Sequence, residues 1–458
     1  MDAAADGLPQ PQRGWAMLAV GLAIMMAVLD GTIANVALPT IARAMHASPA
    51  DSVWVVNAYQ LVITVLMLPL ASLGEIIGYR CVYRFGLAVF TLASLACAVS
   101  DSLTVLTLAR VVQGVGAAGV MSVNAALVRF IYPRGQLGRA IGTIALVVAT
   151  SAAIGPTVAA GILSIAAWPW LFLVNVPLGI VTLIAAQQLP RTPRAARRFD
   201  YVSALLNALF FGLLIIAIDS LGHGERALYT VLAGAGAAVA GVALVLRQLP
   251  QAAPLLPVDL LRIPMFSLSI ATSVCSFMAQ MLAYVAVPFY FQDVLGHGAV
   301  ATGLLMTPWP AAVAVTAPIA GRLADRYSAG ALGTLGLAVF AVGIALLALL
   351  PAAPSNVDVV WRMALAGVGF GLFQSPNNRV ILSSAPPERS GGASGMLGTA
   401  RLLGQTTGAA LAALLFGLTG TQATYWALGT AAAIALVAAA VSGTRLIGSD
   451  PQRPLRGS

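Results

Sequence analysis

The 458-residue chain is 59% hydrophobic and 9% charged, whereas soluble domains carry about 25% charged residues. That balance excludes a soluble fold, and the long apolar runs exclude a barrel, whose short strands alternate polar and apolar residues. The net charge of +9 comes from 24 arginines and no lysine, and it reads as membrane topology rather than nucleic-acid binding.

Runs of about 20 apolar residues cross a bilayer as helices. The first six lie near 15–38, 52–73, 82–100, 103–130, 138–163 and 166–187. Two follow near 201–220 and 227–247. The last six lie near 265–291, 298–321, 329–350, 358–382, 392–417 and 422–446. The first run is too long for the apolar stretch of a cleavable signal. The basic, proline-containing stretch 188–200 and the proline-rich stretch 248–264 bracket the seventh and eighth helices as an inserted pair. The chain therefore divides into a six-helix bundle at 1–190, a linker and inserted pair at 191–264, a second six-helix bundle at 265–447 and a tail at 448–458.

Arginine placement orients the helices. With the N-terminus inside, 19 arginines fall on the cytoplasmic side and three (Arg43, Arg226, Arg362) outside, while Arg110 and Arg401 lie within helices. Positive residues stay inside, so both termini are cytoplasmic. Three cysteines (Cys81, Cys97, Cys275) have no metal-ligand spacing, and the three histidines (His46, His223, His297) map to outer loops. The sequence predicts no metal site and no cofactor.

The chain repeats itself. The stretch Ala71-Ser72-Leu73-Gly74-Glu75 after the second helix corresponds, 250 residues later, to Gly321-Arg322-Leu323-Ala324-Asp325 after the tenth. Parallel repeats of this kind are built into transporters whose substrate site lies near the midplane between the halves.

Ionisable residues deep in lipid are costly, about 2.5–3.5 kcal/mol for a central Asp or Arg on an insertion scale, so each is a candidate functional group. Asp30 lies roughly 22 Å into the first helix and Arg110 roughly 10 Å into the fourth, at 1.5 Å per residue. Their depths match, so they can pair, either as a proton or cation site with a tuning arginine or as a structural ion pair. Arg401, deep in the thirteenth helix, has no acidic partner in its own half. It either binds backbone carbonyls or faces a cavity.

Polar and aromatic residues within the helices include Tyr59, Gln113, Gln280, Tyr284, Gln374 and Asn377. Gln280 stands 250 residues after Asp30, a neutral counterpart in the second half. These residues either line a cavity or bond between helices. Met306, Trp309 and Phe373 either form a soft aromatic wall suited to organic cations or pack the interior. The candidate cargo site is thus Asp30, Tyr59, Gln113, Gln280, Tyr284, Met306, Trp309, Phe373, Gln374, Asn377 and Arg401.

Four motifs carry a family resemblance. The first helix holds Leu29-Asp30-Gly31-Thr32-Ile33-Ala34-Asn35-Val36-Ala37-Leu38-Pro39, and the fourth holds Arg110-Val111-Val112-Gln113-Gly114-Val115-Gly116-Ala117. The fifth holds Gly155-Pro156 among small residues, and the sixth holds Trp168-Pro169-Trp170-Leu171-Phe172-Leu173-Val174-Asn175-Val176-Pro177-Leu178-Gly179. Over nearly its whole length the chain resembles the fourteen-helix drug:proton antiporters of the major facilitator superfamily. The variants Leu73-Gly74-Glu75-Ile76-Ile77-Gly78-Tyr79-Arg80 and Trp168-Pro169-Trp170 resemble the SmvA-like exporters of methyl viologen and cationic biocides. The first loop departs from the family pattern: Ala71, Glu75 and Ile76 stand where Gly, Asp and Arg are usual, whereas the second copy, ending Asp325-Arg326, is closer to it.

The resemblance implies an all-α integral membrane protein with the major facilitator fold. It implies a multi-pass protein of the bacterial inner membrane that works as a monomer and exports lipophilic cations in exchange for protons. Asp30 would be the coupling carboxylate, with Arg110 opposing its protonation. Gly155-Pro156 would bend the fifth helix and seal the leak path. Glu75, Arg80, Asp325 and Arg326 would form a cytoplasmic latch when that side is shut. In the latch Glu75 meets the helix start near Ser390, Gly391 and Gly392, and Asp325 meets the start near Gly138 and Arg139.

Rival readings remain on the residues alone. An exporter of an amino acid, siderophore or other metabolite would use the same scaffold. An intramembrane enzyme would need a nucleophile–base pair or metal ligands within the helices, and a sensor would need a soluble output domain; neither is visible. No P-loop for ATP is present, so an ion gradient is the expected energy source.

Overall fold

The computed structural model describes residues 7–196, 198–222, 227–251, 256–351, 353–386 and 389–448. Arg197, His223, Arg226, Arg453 and Arg456, together with nearly all of the tail, lie outside this set. Among the described residues the regular structure is entirely helical. Fourteen helices are long and apolar enough to span a membrane. They are α1 (Gln12–Ala44), α2 (Pro49–Ile77), α3 (Tyr79–Ala98), α4 (Leu103–Ile131), α5 (Arg139–Ile165), α6 (Trp170–Gln188) and α7 (Tyr201–Leu221). The rest are α8 (Ala227–Gln248), α9 (Pro264–Val294), α10 (Ala299–Leu323), α11 (Ala329–Ala348), α12 (Asn356–Ser384), α13 (Gly391–Thr419) and α14 (Ala423–Leu446).

Local chemistry sets many of the ends. Ser102, Ser328 and Ser355 stand just before α4, α11 and α12, and each side chain accepts a bond from a backbone N–H three residues on. These caps satisfy donors that a helix start leaves unpaired. The outer end of α9 loosens into a π turn over Tyr290–Val294, just past Pro288. Proline removes a backbone donor and so disturbs the ladder there.

The two sets of six helices pair in parallel ways. In the first, α4 packs on α2 and α3, while α1 packs on α5 and α6. In the second, α12 packs on α10 and α11, while α9 packs on α13 and α14. The inserted α7 and α8 pack on each other, and α7 lies against α2 and α13, at the seam of the halves.

The repeat extends to individual crossings. A Cβ on Gly116 would overlap the backbone N of Phe90 and crowd the Gly86 carbonyl. A Cβ on Gly369 would do the same to Phe340 and Gly336. Phe90 and Phe340 are 250 residues apart, as are Gly86 and Gly336. Both crossings are backbone-to-backbone, the close approach that small residues permit in membranes. Apolar side chains such as Val231, Val239 and Val242 on α8 remain exposed, as expected of surfaces that face lipid.

Gly116→Val should therefore wreck the α3–α4 crossing, because overpacking costs about 1–3 kcal/mol even where neighbours can yield. Gly142→Ala, whose new Cβ meets no atom within 4 Å, is the matched control. Thermal melting of purified protein should fall sharply for the first variant and stay level for the second.

Candidate functional site

A cavity of about 780 Å³ lies between the halves. From the first half, α1 contributes Gly31, Thr32 and Asn35, α2 contributes Tyr59 and Gln60, and α5 contributes Gly142 and Ala149. From the second, α9 contributes Gln280 and Tyr284, and α10 contributes Trp309 and Pro318. Gln374 and Asn378 come from α12, and Arg401 and Gln405 from α13. Gly142 and Pro318 lie toward the arginine-rich ends of α5 and α10, so the cavity extends toward the cytoplasmic side.

The other side is shut. On the π turn of α9, Gln292 accepts hydrogen bonds from Thr40 Oγ1 (3.2 Å) and from the Arg43 guanidinium, and its amide donates to the Val36 carbonyl (3.3 Å). Helices α1 and α9 are thus tied across the halves at their outer ends. Further inward, Thr157 and Thr307 hydroxyls pair at 2.8 Å, and a Cβ on Gly303 would meet the Pro156 carbonyl. The structure is inward-open.

Asp30 and Arg110 pair, as their depths predict. Asp30 is 2% exposed and Arg110 is fully buried. The Arg110 guanidinium donates to Asp30 Oδ2, to Gln113 Oε1 (2.6 Å) and, through Nε, to the Val55 carbonyl (2.8 Å). Asp30 Oδ1 accepts from Gln113 Nε2 (2.8 Å) and from Asn175 Nδ2 (3.0 Å). The Tyr59 ring covers the guanidinium, with Cζ 4.1 Å from the ring centroid, and Phe172 lies on it at 5.5 Å. Buried charges survive only when paired and bonded; here Arg110 Nη2 alone of the guanidinium nitrogens has no hydrogen-bond partner.

This geometry corrects the expected cavity lining. Tyr59, Gln280, Tyr284, Trp309, Gln374 and Arg401 line the cavity, and five other candidates do not. Asp30 and Gln113 point into the interior of the first half, behind Tyr59. Met306 is fully buried in the core, and Phe373 packs on Phe370. Asn377 donates to Ser273 Oγ (2.8 Å) and to the Ser269 carbonyl (3.2 Å), inside the second half. The reason is helix rotation: these side chains face into their own bundle rather than across the seam.

Gly155 sits where a Cβ would overlap the Thr32 hydroxyl, so the Gly155-Pro156 pair lets α5 lie close against α1. The latch residues hold other partners in this conformation. Asp325 pairs with Arg379 at the end of α12, not with the start of α5. Both groups are more than half exposed, and such a pair adds little stability. The Glu75 carbonyl accepts from Ala195 N (2.7 Å), so the basic linker braces the first loop, and Arg80 donates to the Gln187 carbonyl at the end of α6 (2.8 Å). Arg326 is exposed, and the Ser390 and Gly138 side-chain surroundings lie outside the described set. Gly392 lies against Pro257 of the second linker, and Arg389 pairs with Asp259 at 2.8 Å.

Two features escaped the sequence reading. Asn175 is a direct donor to Asp30; its place in the sixth-helix motif was the available signal. Arg445, counted above among the cytoplasmic-side arginines, stands in the last turn of α14 and is 2% exposed. It donates to Asn377 Oδ1 (2.7 Å), Ser269 Oγ (3.0 Å) and Ser442 Oγ (2.6 Å). The polar residues Ser269, Ser273 and Asn377 in otherwise apolar runs were the trace of this network.

Two pseudo-symmetric helical bundles enclosing a cavity open to one side define a membrane transporter. The general family model described as Major Facilitator Superfamily matches residues 20–409, and the chain belongs to that superfamily. It is 57% identical over 445 residues to the uncharacterized transporter YebQ of Escherichia coli (strain K12), covering 96% of this chain and 97% of that one. It is 30% identical to the riboflavin transporter RibZ of Clostridioides difficile (strain 630), over 88% of each chain. It is 33% identical to the multidrug resistance protein Stp of Mycobacterium tuberculosis (strain CDC 1551 / Oshkosh), over 86% of this chain and 74% of that one. The fold is also that of a crystallised bacterial homologue of the human lysosomal transporter Spinster, with a TM-score of 0.69 at 16% identity, over 95% of this chain and 97% of that one.

Two expectations follow from this geometry. Gln292→Ala removes up to three bonds across the outer closure, each worth about 0.5–1.5 kcal/mol, so the population should shift measurably toward the outward-open state. Spin-label distances across the outer mouth should lengthen. For the buried pair, Asp30→Asn leaves Arg110 uncompensated, which costs about 3–5 kcal/mol. The double variant Asp30→Asn/Arg110→Gln should melt well above the sum of the single losses, as a thermal double-mutant cycle will show.

Proposed function

We propose that this transporter is a proton-coupled antiporter that exports small amphipathic aromatic compounds by alternating access. It would work as a monomer in the bacterial inner membrane and draw on the proton gradient. The observation that carries the coupling is the Asp30–Arg110–Gln113–Asn175 cluster, the fully buried charge pair in the first half. Three N–H donors, one of them on the Arg110 cation, hold the carboxylate, and that cation opposes the arrival of a proton. Withdrawal of Arg110 when the halves rock would release the carboxylate to take a proton. The pair as it stands here fits the state that has given its proton to the cytoplasm.

The aromatic walls support the cargo class. Tyr59, Tyr284 and Trp309 line the cavity, and Trp309 meets both Tyr284 and Phe340 edge to face. Similarity to the multidrug protein Stp and to the motifs of SmvA-like exporters supports drugs and biocides as cargo. Lipophilic cations were expected from the family resemblance and the soft aromatic wall; for dications held directly by Asp30, that carboxylate must become reachable in another state. A second reading, export of an endogenous aromatic metabolite, is favoured by similarity to the riboflavin transporter RibZ. In either case Glu75 and Asp325 would dock on the starts of α13 and α5 once the cytoplasmic side closes, where helix N-termini favour carboxylates.

Proteoliposomes with and without an imposed pH gradient test the coupling. With a panel of ethidium, a quaternary ammonium biocide and riboflavin, the gradient should speed transport of at least one by about fivefold or more. Asp30→Asn should abolish that stimulation. Full gradient-driven transport by Asp30→Asn would refute the assignment.

A further inference from the structure

Among the described residues, Arg401 is the one charged side chain lining the cavity. It forms no hydrogen bond or ion pair there, and its Nε is buried with no partner. Two more cavity-lining atoms are buried without partners: Tyr284 Oη and Trp309 Nε1. Arginine and the indole N–H only donate, and the phenol can donate. All three lie on the second half. The other such atom in the lining, the acceptor Asn35 Oδ1, lies on α1 in the first half.

No protein group pairs with these donors, so partners for them come from what occupies the cavity. The carboxylate that could neutralise Arg401 is elsewhere: Asp30 sits behind Tyr59, already bound to Arg110. A cation entering this state would meet a positive charge and no acid. An anion would gain an ion pair with a planar donor group, beside aromatic faces.

We infer that Arg401, with Trp309 and Tyr284, forms an anion-reading subsite, and that the inward-open transporter takes up aromatic cargo bearing a carboxylate, sulfonate or enolate group. This deepens the reading of the cavity as the cargo site and rests on it. It also fits the energetics of export, since an inside-negative membrane potential drives anions outward.

Two xanthene dyes of similar size and opposite charge test it: fluorescein, an anion, and rhodamine 123, a cation. Binding to the purified full-length protein in nanodiscs is read by fluorescence anisotropy, with empty nanodiscs subtracted and no pH gradient. Wild type should bind fluorescein about tenfold more tightly than rhodamine 123. Arg401→Gln should lose about tenfold in fluorescein affinity and leave rhodamine 123 unchanged or tighter, while Arg401→Lys should keep most of the fluorescein affinity. Preference for rhodamine 123, no fluorescein binding by wild type, or unchanged fluorescein binding by Arg401→Gln would each overturn the subsite. If Arg401→Gln aggregates, displacement from the wild type decides: p-toluenesulfonate should displace fluorescein, and displacement by benzyltrimethylammonium alone would overturn the proposal. Because this binding needs no gradient, its failure leaves proton coupling through Asp30 standing. Conversely, loss of coupling with fluorescein bound normally would count against the antiport reading alone.

Discussion

A charge pair closed off from water at the centre of the first half constrains the rest of the molecule. Asp30 and Arg110 would each be prohibitively costly alone in a low-dielectric interior. Together they persist because three helices supply the remaining contacts: Gln113 from α4 itself, Asn175 from α6, and from α2 both the Val55 carbonyl and the Tyr59 ring laid over the guanidinium. Any motion that separates the two charges must offer each of them something else. A proton can satisfy the carboxylate. That requirement is what would tie movement of the halves to movement of protons.

The second half repeats the framework without that charge pair. Gln280 stands opposite Asp30 in the repeat, and Trp309 stands opposite Tyr59; both line the cavity. Where the first half spends its polar groups on each other, the second leaves Arg401, Trp309 and Tyr284 open to the cavity. On the proposed reading, one bundle would serve proton exchange and the other cargo. The outer tie through Gln292 and the exchanged partners of Asp325 belong to the same inward-open arrangement.

The number and order of the helices were legible because twenty apolar residues in a row have few other uses. The repeat was legible because Glu75 and Asp325 keep their spacing, and Asp30–Arg110 because their depths agree. Side-chain facing was harder. In a soluble helix the apolar stripe reveals the buried face, but a membrane helix is apolar all round, so the stripe says little about rotation. Gln113, Met306, Phe373 and Asn377 were therefore placed at the right depth and on the wrong face. The bonding of Arg445 was hidden for a related cause: an arginine at a helix end looks like a loop charge, and only the fold brings Asn377 and Ser269 around it. The present partner of Asp325 was not legible either, because only the fold brings Arg379 beside it.

The central claim is that protonation of Asp30 favours the state in which its pair with Arg110 is broken. By linkage, protons then bind the other state more tightly than the inward-open one, so acid should deplete the inward-open population. Spin labels on either side of the cytoplasmic mouth, followed by double electron–electron resonance from alkaline to acid pH, measure this directly. The account predicts that the distance shortens as pH falls in the wild type and stays constant in Asp30→Asn. A wild-type distance independent of pH, or one that lengthens in acid, would contradict it.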